Sequence, residues 1–261
     1  MSDDKSHGPP AGADHRVALV TGGAVRVGKA IALGLADAGF DVVVTYRSSG
    51  EAAEDTRRQI RERGRACDTV QADLSTREGP AAVVDAARSR FGRLDVVVNS
   101  AASFRSVPLM DVDAEEWDSV MALNVRAAHL IVREAADLLR ASEGSVVNII
   151  DLSAFQPWVA YPHHSVSKAA LAHLTRVQAR ALGPEVRVNG IAPGAVLAPD
   201  DWPEERWAER AEKAALKKTG SPQDVVDAVL YLVDAGFVTG HVIPVDGGRL
   251  LGPPEASPDE G

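Results

Sequence analysis

The chain has 261 residues, 45% hydrophobic and 25% charged, with a formal net charge of −9 and a pI near 5.3. This composition suits one globular α/β domain with a large core and argues against nucleic acid or an anionic membrane as the main partner. The lone Cys67 excludes an internal disulfide and reads as a small core residue rather than a reactive thiol.

No apolar run approaches the roughly 18 residues that a membrane span needs. The N-terminus, Met1-Ser-Asp-Asp-Lys5, carries no apolar stretch of the kind a signal peptide requires. A soluble, cytoplasmic protein is the expectation. Residues 1–14 and 252–261 are polar and rich in Gly, Pro and acid, and they read as disordered tails around one domain at 15–251.

The first strand is predicted at Val17-Ala-Leu-Val20. The loop Thr21-Gly22-Gly23-Ala-Val-Arg26-Val27-Gly28 follows and opens a helix over 27–38. Glycines let backbone approach a pyrophosphate, and a helix N-terminus attracts its charge. A second strand at Asp41–Thr45 leads into Tyr46-Arg47-Ser48-Ser49. An NAD site places an acid about here, some 20 residues past the loop, to meet the ribose 2′-hydroxyl. This chain has none. Arg47 and Ser48 offer instead a bidentate fork and a hydroxyl for a 2′-phosphate, with Arg26 as a second cation. The plainer alternative is that both arginines are solvated surface charges.

Helices are predicted over 51–63, 77–91, 114–141, 163–182 and 222–235. Strands are predicted at 94–98 and 145–150, and weaker ones at 67–70, 186–191 and 241–245. In 163–182 the apolar Val166, Ala170, Leu174 and Val177 recur at helical steps and predict the buried face. Pro162 fits a first turn and Gly183-Pro184 a stop. The alternation predicts a single-domain, doubly wound (Rossmann) sheet of seven parallel strands with helices on both faces. Ligands in such sheets bind past the carboxyl ends of the strands. Thr21, Arg47, Asp73, Asn99 and Asp151 all stand there.

Taken in order, these motifs resemble the short-chain dehydrogenase/reductase family over about residues 16–251. The glycine loop is similar to the family's Thr-Gly-x-x-x-Gly-x-Gly, with Arg26 in place of the middle glycine. Asp73 and Leu74 resemble the pair that meets adenine, and Asn99-Ser100-Ala101 the turn under the cofactor. Asn124 resembles the structural asparagine of the catalytic tetrad, Lys168 its lysine, and Pro193-Gly194 the nicotinamide motif. The resemblance implies NADP(H), a small-molecule substrate and a homotetramer formed through the helices at 114–141 and 163–182 and the last strand. Arg26, the Asn99–Phe104 segment and Asp151 resemble the pteridine reductase and dihydromonapterin reductase branch. That branch implies a flat pterin-like heterocycle held near Ser103, Phe104 and Tyr161. A carbonyl reductase of the 3-oxoacyl-carrier-protein type is the alternative enzyme.

The departure is His164. It lies four residues before Lys168, where the family has its proton-donating tyrosine. Three outcomes are open. His164 is the proton donor; Asp151, or a water it holds, supplies the proton; or the chain binds NADP with impaired catalysis. Tyr161 lies seven residues before Lys168, on the same face if the helix is continuous, but reads as a pocket-lining aromatic. His163 points away and reads as a surface or loop residue. The remaining histidines (7, 15, 129, 173 and 241) show no metal-ligand spacing, so no metal is expected. Ala198–Pro203 reads as a mobile lid, with Trp158 and Trp202 on the rim.

Overall fold

Val17 and Leu19 point to one face of the first strand, Ala18 and Val20 to the other, and all four are buried. Burial on both faces is what a parallel sheet sandwiched between helices demands. The computed structural model describes residues 15–199 and 202–252. Its sheet has seven parallel strands: β1 (Val17–Val20), β2 (Asp41–Tyr46), β3 (Cys67–Gln71), β4 (Val96–Asn99), β5 (Ser145–Ile149), β6 (Arg187–Pro193) and β7 (Val242–Val245). Their order is β3-β2-β1-β4-β5-β6-β7.

The helices are α1 (Arg26–Asp37), α2 (Gly50–Glu62), α3 (Gly79–Phe91), α4 (Ala114–Met121), α5 (Ala127–Glu134), α6 (Ala136–Ala141), α7 (Pro162–Leu182), α8 (Glu204–Glu212) and α9 (Pro222–Asp234). One face packs Ile31 and Leu35 of α1, Ile60 of α2 and Val229 of α9 against Val42, Val44, Val96 and Val98. The opposite face packs Val83 of α3, Ile131 of α5 and Leu139 of α6 against Leu19, Val43, Val97 and Val146. This is the expected doubly wound fold. Cys67 is buried in the core, and burial pushes its thiol up to about 12.

The chain winds in opposite directions from β1 and β4, which opens a crevice at their carboxyl ends. Thr21 closes the bottom of that crevice. Its amide donates to the Val98 carbonyl at 3.0 Å, and its hydroxyl accepts from the amides of Ser100 at 2.9 Å and Ala101 at 3.0 Å.

Three sequence expectations are corrected. The helix expected over 114–141 is interrupted by a π-helical turn at Ala122–Arg126, where the Ala127 amide reaches back to the Ala122 carbonyl. Such turns insert one residue into the helical ladder and re-aim a side chain; here it is Asn124. Second, α8 has no counterpart among the predicted elements. Its only markers are Pro203, the acids Glu204 and Glu205 in its first turn and Arg210 in its last. Third, the apolar stripe of α7 is not its buried face. Val166 and Val177 are 46% and 51% exposed, whereas His163, His164, Ser167, Lys168 and Thr175 are buried. The tail expected at 1–14, all but Gly252 of the tail expected at 252–261, and Asp200 and Asp201 of the expected lid lie outside the described residues.

Gly28 sits where α1 meets the glycine loop. A Cβ there would lie 2.3 Å from the Gly22 carbonyl oxygen, a backbone atom that cannot rotate away. Gly28→Ala is expected to cost about 1–3 kcal/mol of stability and to weaken dinucleotide binding; urea unfolding and a binding titration check both.

Candidate active site

The crevice is a cavity of about 650 Å³. The loops after β1, β2, β3, β4, β5 and β6 all contribute to its wall, as the switch-point rule requires. Of the sequence-predicted residues, Gly22, Arg26, Val27, Gly28, Tyr46, Arg47, Ser48, Asp73 and Leu74 line one half. Ser100, Ala101, Ser103, Phe104, Asp151, His164, Lys168, Pro193 and Gly194 line the other.

Asn99, Asn124 and Tyr161 do not line it. Asn99 lies beneath the floor, donating to Asn148 Oδ1 at 2.8 Å. Asn124 stands behind Ser103. Tyr161 precedes α7 as its N-cap, with φ −139° and ψ 55°. The helix therefore does not run continuously from Tyr161 to Lys168. Its ring instead stacks on Phe104, with centroids 4.3 Å apart and planes 13° from parallel. His163 is not a surface residue. It is fully buried, with Nε2 3.3 Å from Glu116 Oε1 but outside hydrogen-bond geometry. Sequence reasoning missed the wall residues Glu116, from α4, and Arg105, which bonds it at 2.6 Å. No spacing signal joins that helix to that loop.

The glycine loop is built to let a ligand approach. Gly22 adopts φ +62°, a conformation that L side chains rarely hold. Arg26, Val27 and Gly28 of the first turn of α1 line the cavity, and the amides of a first turn have no partner within their own helix. Arg26 also has positive φ, at +52°. Its guanidinium donates to the Ala198 carbonyl at 3.1 Å, tying the loop to the segment after β6. Arg47 lies across the cavity and makes no ion pair among the described residues. Asp73 caps its own turn, accepting from the Ser75 hydroxyl and amide, and these bonds hold its carboxyl below the usual range. This half fits a dinucleotide: bare backbone for a pyrophosphate, a helix N-terminus, and a cation with a hydroxyl at the end of β2.

The other half centres on His164. Nδ1 lies 2.8 Å from the Ser103 carbonyl oxygen and Nε2 lies 3.1 Å from Asp151 Oδ2. A carbonyl only accepts, so Nδ1 carries a hydrogen. Burial alone would raise the Asp151 carboxyl. Its bonds to His164 and to Ser153 outweigh that and hold it below the usual carboxylate range. An ionised carboxylate only accepts, so both ring nitrogens of His164 face acceptors.

Asn124 fixes the geometry. Its Oδ1 accepts from the Ser103 amide at 2.8 Å, and its Nδ2 donates to Ser167 Oγ at 2.9 Å and Ser103 O at 3.3 Å. The π turn thus clamps the Ser103 loop to α7, and that loop clamps the imidazole. Lys168 Nζ donates to the Ile149 carbonyl at 2.7 Å. Burial lowers its ammonium to about 8, partly offset by the Asp151 charge.

A family profile described as enoyl-(acyl carrier protein) reductase matches residues 23–249. The chain belongs to the short-chain dehydrogenase/reductase family. It is an NAD(P)-dependent oxidoreductase. It is 37% identical over 246 residues to an uncharacterized oxidoreductase of Mycobacterium tuberculosis, covering 90% of this chain and 92% of that protein. It is 30% identical over 240 residues to a 3-oxoacyl-[acyl-carrier-protein] reductase of Staphylococcus aureus, covering 90% and 98%. A blue fluorescent protein from a metagenomic library, solved in complex with NADPH, superposes with a TM-score of 0.83 at 32% identity, covering 90% and 97%. Among the described residues no acidic, histidine or cysteine cluster is placed to hold a metal ion, and no helix is long and apolar enough to cross a membrane.

Between pH 8 and 10.5 the folded Lys168 is largely neutral while the unfolded one stays charged, so stability rises with pH over that window. Lys168→Met is expected to abolish this rise and to stabilise the fold at pH 7 by on the order of 3 kcal/mol, the 10.5-to-8 shift expressed as energy. Urea unfolding across that pH range is the measurement.

Proposed function

We propose that this reductase uses NADPH to reduce a pterin or a similar small, flat heterocycle, with His164 as the proton donor. The observation that carries the reading is the imidazole itself. It is held at both nitrogens and exposed to the same cavity as Lys168 and the glycine loop.

The preference for NADPH rests on Arg47 and Ser48, a cation and a hydroxyl where an NAD site would carry an acid. Arg26 supports it by holding the loop against Ala198. Bound NADPH supplies the hydride. The chain's part is position and proton. Lys168 holds its ammonium at the base of the cavity through the Ile149 carbonyl. His164 presents the Nε2 hydrogen at the cavity wall, where an accepting oxygen or ring nitrogen can compete with Asp151 for it. After transfer, Nδ1 keeps its hydrogen on Ser103 and the ring does not turn. Asp151 stabilises the charged imidazolium and so stores the proton.

A flat substrate is favoured by the aromatic wall. Phe104 lies edge-on to His164, with centroids 4.7 Å apart, and is backed by Tyr161, with Trp158 edge-on at 6.4 Å. Such a wall suits a planar ring by stacking. The 3-oxoacyl reading is supported by the likeness to the S. aureus reductase. A cytoplasmic homotetramer is the assembly we propose. Its support is the outward apolar stripe of α7, Val166 and Val177, an exposed surface of the kind that marks association.

NADPH oxidation with dihydrobiopterin, and separately with a 3-oxoacyl thioester, tests the substrate class; turnover of only the thioester overturns the pterin reading. His164→Phe is expected to lower kcat about 10²–10⁴-fold. Faster turnover in His164→Tyr would instead mark the wild type as an impaired enzyme. Arg47→Ala is expected to raise KM for NADPH relative to NADH by about 10-fold.

A further inference from the structure

A second cavity of about 490 Å³ opens beside the first. The segment after β6 contributes to both: Gly194 and Val196 line the first cavity and Ala195 lines the second. The approach is close, since a Cβ on Gly194 would lie 2.8 Å from Cα of Asp246, which lines the second cavity.

Three cations line this second space: Arg210 of α8, Lys218, and Arg249 just past the Gly247-Gly248 turn. Its two carboxylates are already committed to backbone. Asp246 accepts from the amides of Gly248 and Leu250, each at 2.8 Å. Asp224 Oδ2 accepts from the amide and the hydroxyl of Ser221, capping α9. Neither pairs with a guanidinium. Among the described residues Arg249 makes no ion pair and no side-chain hydrogen bond, although half buried. Arg210 is held by stacking: its Cζ lies 4.7 Å above the Trp202 ring, which Arg206 also covers at 3.9 Å. Stacking leaves the edge donors of a guanidinium available.

Three cations against two carboxylates that are already hydrogen-bonded leave a positive excess in a partly dry space, and a bound anion relieves the cost of gathering like charges there. Burial and the nearby Arg210 charge lower Arg249, while Asp246 and Asp151 oppose this. We infer that the second cavity is a subsite for a carboxylate or phosphate on the substrate, gripped by Arg249 and Arg210, while the reducible group lies against His164. This deepens the reductase reading: the substrate is a small ring or carbonyl carrying an anionic tail. A carboxylate or phosphate meets a planar fork with two parallel hydrogen bonds, which neither Lys218 nor a neutral side chain matches.

The test compares substrates that differ only in the tail: dihydrofolate against dihydrobiopterin, and acetoacetyl-coenzyme A against its N-acetylcysteamine thioester. In Arg249→Gln the KM of the anionic member is expected to rise about 10-fold relative to its neutral counterpart. Arg249→Lys should fall between. Arg210→Gln, on an exposed helix, repeats the test should the first variant misfold. The pair that responds identifies the tail as carboxylate or phosphate. An unchanged ratio for both pairs overturns the subsite. A second readout is independent of turnover: calorimetric titration of inorganic pyrophosphate into the enzyme saturated with NADPH. Saturable binding weakened about 10-fold in Arg249→Gln supports the subsite even if no substrate is reduced, which would sink the reductase reading alone. Absence of binding to the wild type overturns the subsite whatever the turnover.

Discussion

One ring held at both ends organises the half of the cavity that His164 and Lys168 line. His164 is fixed between a carbonyl it can only donate to and a carboxylate kept ionised by that same ring. A phenol in this place would offer a single oxygen. An imidazole offers two nitrogens, and the second anchors the loop after β4. The π turn in the helix before β5, the Ser103 backbone and the start of α7 all meet at this anchor through Asn124. Two acceptors facing one ring can hold a hydrogen on each nitrogen without a further cation.

The arrangement puts polar groups where packing alone would put hydrocarbon. α7 buries His163, His164, Ser167, Lys168 and Thr175 and leaves Val166 and Val177 outside. Thr175 closes a polar ladder under the floor, accepting from Asn148, whose Oδ1 accepts from Asn99. Lys168 is buried with one carbonyl partner, and that burial depresses its ammonium. Stability is lost at such a site in exchange for an ammonium held beside the cavity. The two apolar faces of the sheet hold the fold together regardless.

The cofactor half rests on backbone rather than side chains. Gly22 and Gly28 let the loop close on itself and on Ala101, where a Cβ on either would run into neighbouring protein atoms. Arg26 is the exception. It occupies a left-handed position where a glycine would be relaxed, at a cost of roughly 1–2 kcal/mol, and its guanidinium reaches Ala198 in return. Local ease gives way to a clasp between the first loop and the segment after β6. The same segment lies between the main cavity and its basic neighbour.

Local patterning is enough to specify the sheet and the cofactor half. Strand runs such as Val42–Val44 and Val96–Val98 declare burial on both faces, and the residues after each strand fall at the crevice by topology alone. These features are short-range or set by winding, which is why spacing reveals them. Packing between distant segments settled the rest. The α7 stripe misled because periodicity marks an apolar face without saying what it meets. His163 and Glu116 come together from α7 and α4, and Tyr161 leaves the helix to stack on Phe104. The direction of the His164 ring depends on Ser103, 61 residues away in sequence, and on a π turn that no residue pattern announces. A hydrogen-bond network between distant segments is written in three dimensions, because only the folded chain brings its donors and acceptors within reach.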